Sequence, residues 1–113
     1  GSDMIEEIIQ NYLRENAFPC YTSVPEKPSG NFCVLEKTGS GYEDGIFTAT
    51  LAVQSYGSSD YAAAQLSHRV VQTMLDADTL PEIVSCTLNT DYNFPDTTRK
   101  LPRYQAVFEV VHY

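Results

Sequence analysis

Apolar residues along this chain follow two different periods. From Met4 to Asn16, Ile5, Ile8, Ile9, Tyr12 and Leu13 recur at three- and four-residue spacing, so one face of a first helix is expected to be buried. Pro19 disfavours helical backbone at the residue before it, which puts the helix exit at Ala17 and Phe18, and a short strand, Cys20 to Val24, follows. "PEKPSG", Pro25 to Gly30, is rich in turn formers and reads as a surface connection. Beyond it lie a strand, Phe32 to Lys37, and the glycine-rich "TGSGYEDG", Thr38 to Gly45. From Ile46 to Tyr56, Phe47, Ala49, Leu51 and Val53 alternate with Thr48, Thr50, Ala52 and Gln54, the clearest strand signal in the chain. The two strands are expected to form a hairpin with a long, mobile tip.

Gly57 to Asp60 offers Ser58, Ser59 or Asp60 as N-cap to a second helix running to about Asp76. Ala63, Leu66, Val70 and Met74 centre its apolar face and Ala64, Val71 and Leu75 widen it, so this helix should lie on a sheet and also touch the first helix or another subunit. Leu80 and Pro81 end the region. Two strands follow, Ile83 to about Thr90 and Arg103 to Tyr113; in the second, Tyr104, Ala106, Phe108 and Val110 share one face. The order α-β-β-β-α-β-β defines an α+β fold with two helices on one face of a largely antiparallel sheet whose other face is semi-polar.

A length of 113 residues suits one domain, 4–113, which at this size buries roughly 65% of the surface its unfolded form exposes. Gly1 to Asp3, ahead of Met4, reads as a cleaved-tag remnant, although Asp3 and Glu6 have capping-pair spacing. No stretch approaches the ~20 apolar residues that span a bilayer, and the N-terminus lacks the regions of a signal peptide. Cys20, Cys33 and Cys86 are odd in number, lack C-x-x-C spacing and lie in separate strands; a reduced, cytosolic chain with no disulfide and no bound metal is expected.

Charge narrows the partners. With 7 Lys plus Arg against 15 Asp plus Glu, a net charge of -8 argues against nucleic-acid or anionic-membrane binding and favours protein partners. Yet Arg99, Lys100 and Arg103 sit together in a connection flanked by Pro95 and Pro102. Catalytic groupings are weak: Cys86 falls on the inward side of a strand between Val84 and Leu88, and His68 on the polar border of the second helix, so neither is assigned to catalysis. Glu43 with Asp44, and Asp76 with Asp78, lack a calcium-loop pattern, and "GSG" lacks the lysine of a phosphate loop. No catalytic, cofactor or metal residue is assigned. Seven of the eight tyrosines, Tyr12 aside, fall mostly at strand ends and turns, where a ring packs while its hydroxyl stays wet, which suits protein contacts. The candidate interface residues are Tyr42, Glu43 and Asp44 in the glycine-rich tip, and Arg99, Lys100 and Arg103, which would meet an acidic surface on a neighbour.

Taken in order, "FCVLEKTG", the glycine-rich tip, "TATLAVQSYG", "SSDYAAAQLSHRVVQTML" and "FPDTTRKLPRYQAVFEV" resemble the tail terminator, or tail completion, proteins of long-tailed bacteriophages and prophages. The resemblance spans nearly the whole domain from Met4 and rests on element order and on patterns such as "QSYG" and "PRYQA". It implies a small, non-enzymatic α+β protein that assembles as a ring, expected to be a hexamer, on the tail tube. Such a protein stops tube polymerisation and joins connector proteins at the head, working in the virion tail and, during assembly, in the host bacterial cytoplasm. An acidic balance suits a ring lumen through which DNA slides without sticking. Two alternatives from the residues themselves are a small-ligand-binding α+β domain and an acidic inhibitor of a DNA-binding protein.

Overall fold

The sheet is built outward from the alternating strand at its centre. In the computed structural model, which describes residues 3–26 and 30–113, the elements are α1 (Asp3–Glu15), β1 (Cys20–Tyr21), β2 (Phe32–Glu43), β3 (Ile46–Tyr56), α2 (Asp60–Leu75), β4 (Ile83–Asn93) and β5 (Arg103–His112), with a 3-10 turn at Ala77–Thr79. The five strands lie in the order β1-β2-β3-β5-β4. All pairs are antiparallel except β1 with β2. The fold is α+β in the expected order, and part of the connection after β1, residues 27–29, lies outside the described residues.

One sheet face is dry. Cys33, Leu35, Ala49, Leu51, Val53, Cys86, Ala106, Phe108 and Val110 project towards Ile5, Ile9, Tyr12 and Leu13 of α1 and Leu66, Val70, Val71 and Met74 of α2. Burying a large aliphatic or aromatic side chain of this kind contributes about 1.5–3 kcal/mol, so this layer is the main source of stability. Both helices cover it, and Tyr12 of α1 donates its hydroxyl to the Thr73 carbonyl of α2 at 2.7 Å. Ser59 caps α2, its hydroxyl accepting from the Ala62 amide at 3.1 Å. Gly57 makes the corner between β3 and α2: a Cβ there would lie 2.5 Å from the Ala63 backbone nitrogen.

Several sequence expectations are corrected. α1 begins at Asp3, which therefore lies within the helix rather than before it. β1 spans two residues, not five, and β4 runs on to Asn93. Leu75, expected to widen the buried face of α2, is exposed, and Ser67 is buried in that helix instead. A bulge between Ile83 and Ser85 turns Val84 outward. The largest departure is residues 38–45, which form no long tip: after a register shift at Thr38, β2 continues to Glu43, each residue from Gly39 paired with β3. The reversal needs only Asp44 and Gly45, both with positive φ (53° and 81°), the backbone of a primed two-residue turn.

Candidate functional site

Of the three clustered cations, Arg99 and Lys100 lie in the connection between β4 and β5 and Arg103 opens β5; a carboxylate organises that connection. Backbone bonds run both ways between Asp96 and Leu101 (3.0 and 3.1 Å), making a small turn of residues 97–100 in which Lys100 takes a positive φ of 57°. Asp96 is only 4% exposed, although acids are seldom buried unless paired. Its Oδ1 accepts the Arg99 amide at 3.1 Å, and its Oδ2 accepts the Tyr56 hydroxyl at 3.0 Å and the Arg99 guanidinium at 3.1 Å. Arg103 stands 3.9 Å from the same oxygen, donates to the Tyr56 hydroxyl at 3.1 Å and to the Phe94 carbonyl at 2.7 Å, and lies over the Phe94 ring at 4.4 Å. Burial alone would raise the Asp96 pKa. The hydrogen bonds from the Arg99 amide, Tyr56 and the Arg99 guanidinium, with the Arg103 charge, outweigh it and hold the carboxyl below its ordinary value.

Beneath this network lies a second apolar cluster, on the sheet face away from the helices. Phe32, Val34 and Tyr56 are buried there with Val24 and Leu101 packed against them, and the Phe32 and Tyr56 rings stack at 4.6 Å. Sequence reasoning placed Tyr56 at a strand end with a wet hydroxyl; it is instead 1% exposed and its hydroxyl is bonded twice. Asp96 was not singled out at all. Of the three cations, Arg103 is largely enclosed, Arg99 is half-exposed and paired with Asp96, and Lys100 is exposed, with no hydrogen bond or ion pair within the described residues.

At the other end of the sheet, residues 38–48 of the β2–β3 hairpin contain no buried side chain. Tyr42 is 65% exposed and Ile46 37% exposed, and Glu43 and Asp44 flank them in the open. Tyr42 leans on Phe47, which stacks on His112, an aromatic row on the helix-side face past the helix-covered core. The two groups of predicted interface residues thus sit at opposite ends of the sheet, one at the β2–β3 turn and one around Asp96.

The remaining candidates for chemistry are dispersed. His68 lies on the exposed side of α2 beside Tyr61, Gln65 and Arg69, lining an open surface groove, whereas Cys86 is buried under the helices with its thiol pushed up to about 12 by burial and by Asp78. His112 is buried against Phe47. Among the described residues no three His, Cys, Asp or Glu side chains are grouped as metal ligands, and no helix is long and apolar enough to cross a membrane. No protein-family model matches the chain, and no curated protein is similar to it.

Proposed function

We propose that this chain is a structural assembly protein that closes the end of a phage tail tube as a ring of identical subunits, a hexamer, and helps join tail to head, with no catalytic role. The observation that carries the reading is the sheet itself. Its five strands, in the element order of the resembled family, have one face closed by two helices, and a hairpin end with no buried side chain continues past the core, Tyr42 and Ile46 exposed on it. Such a subunit offers surfaces to neighbours rather than a concave pocket to a substrate. Lys100 and Arg99 stand on the rim of the β4–β5 connection and would set register against acidic neighbours, because rim charges act mainly on encounter and orientation. On this reading the protein works in the host cytoplasm during assembly and then in the virion tail.

The test is mass in solution over a range of concentrations by light scattering, negative-stain imaging, and addition of the protein to growing tail tubes. Closed rings, or tubes of fixed length capped at one end, are the expected result. A chain that stays monomeric and leaves tube growth unchanged overturns the reading.

A further inference from the structure

We propose that Cys20 and Cys33 form a redox clasp: a disulfide between β1 and β2 that an oxidising low-molecular-weight disulfide can install in the folded protein. The proposal stands apart from the assembly reading. The two residues are register partners across the parallel β1–β2 pair. Neighbouring strands lie about 4.8 Å apart and partnered residues project to the same face, so the Cα separation falls inside the ~4.4–6.8 Å that disulfides span. Both thiols are in the core, 1% and 0% exposed. Lying in separate strands counts against a disulfide only where those strands are apart, and the parallel register sets Cys20 and Cys33 side by side. Cys86 is no rival: β3 and β5 stand between β2 and β4, which puts it about 14 Å from Cys33, beyond disulfide reach.

Access comes through β1, a two-residue strand on the sheet edge, and short edge elements open at less cost than the whole fold. Burial raises the Cys20 thiol to about 11, offset in part by Arg14, and burial together with Cys20 raises Cys33 to about 12. Cys20, on the short edge strand that opens most readily, is the first nucleophile. Its thiolate attacks one sulfur of the oxidant, forming a mixed disulfide and expelling one small thiolate, which takes up the proton that Cys20 released. The Cys33 thiolate then attacks Cys20 Sγ, forming the Cys20–Cys33 bond and expelling the second small thiolate, which takes the proton from Cys33. Two electrons pass from the cysteine pair to the oxidant. The bond closes a loop holding Tyr21, whose ring meets Phe32 edge-on, and Val24, which packs against the second apolar cluster. The oxidised edge of the sheet is thereby fixed in place.

The experiment incubates the reduced, folded chain with oxidised glutathione at pH 8.5, followed by thiol titration in denaturant, intact mass and peptide mapping. Two of three thiols should disappear, the mass should fall by two hydrogens, and one peptide pair should join Cys20 to Cys33. The oxidised protein should melt higher than the reduced form, by about 5 °C or more. Cys86→Ala should still form the bond, whereas Cys33→Ala should stop at a glutathione adduct on Cys20. Three thiols surviving in the wild-type chain, a stable adduct without ring closure, or a bridge to Cys86 each overturn the proposal; the wild-type measurement stands even where a variant fails to fold.

Discussion

The β2–β3 turn and the β4–β5 connection both reverse the chain between antiparallel strands, yet different physics holds them. The first needs two residues of left-handed backbone and otherwise relies on the ladder between its strands. The second spends a buried carboxylate, two arginines and a tyrosine hydroxyl to fix a longer path. A short turn is fixed by conformation and a long one by side-chain bonding, so the first should be sensitive to backbone substitutions and the second to charge.

Removing the carboxylate should have the largest effect. Asp96→Ala leaves the largely enclosed Arg103 without its carboxylate and the Tyr56 hydroxyl without its acceptor, and should cost about 2–4 kcal/mol in urea unfolding. A loss below 0.5 kcal/mol would make the connection as indifferent to charge as the other turn. The same hub has a pH signature. Because the folded-state pKa of Asp96 is depressed, its contribution is complete above the unfolded value near ~3.9 and is lost as pH falls through the folded value. The stability gap between wild type and Asp96→Asn should thus be widest above about pH 5 and narrow towards about pH 2; a gap independent of pH contradicts the assigned network.

Backbone comes next. Gly45→Val forces a β-branched side chain to φ 81° and should cost about 1–2 kcal/mol, whereas Asp44→Gly should be near neutral. Hydrogen exchange sharpens the point: ladder amides of residues 39–43 should be protected in the monomer, and amides throughout the tip exchanging like free loop would restore the mobile tip expected from its glycines. The smallest change in stability, within about ±0.5 kcal/mol, belongs to Lys100→Gly, which suits φ 57° and removes an outward charge. On the assembly reading this variant folds normally and forms rings more weakly at physiological salt. Reversing all three cations is a poorer test, since Arg103 and Arg99 also hold Asp96.

Sequence alone revealed what depends on local period: both helices, the order of helices and strands along the chain, and the apolar face of β3. The end of β2 is hidden from sequence because Gly39 and Gly41 look like breakers, whereas they sit opposite Thr50 and Thr48 in the ladder and leave room for those side chains. The Asp-Gly pair that closes the hairpin was a readable turn signal that went unused. Asp96 was illegible for another reason. Its partner Tyr56 is 40 residues away, and only the assembled sheet brings hydroxyl and carboxylate together. The Cys20–Cys33 neighbourhood likewise requires a parallel register that no periodicity encodes.

The position of β5 bears on how the molecule is made. It follows β4 in the chain but lies between β3 and β4, and Ala106, Phe108 and Val110 fill the centre of the core. Until β5 is free to pair, β3 has one open side, β4 has no partner, and α2 has part of its floor missing. The nascent chain is then at its stickiest, and polysomes crowd many such chains together. Only when Arg103–His112 clears the exit tunnel can it slot between the waiting strands and complete the sheet. Any delay before β5 pairs would therefore lengthen the window for chaperone capture or aggregation, while the folded sheet carries no trace of the delay.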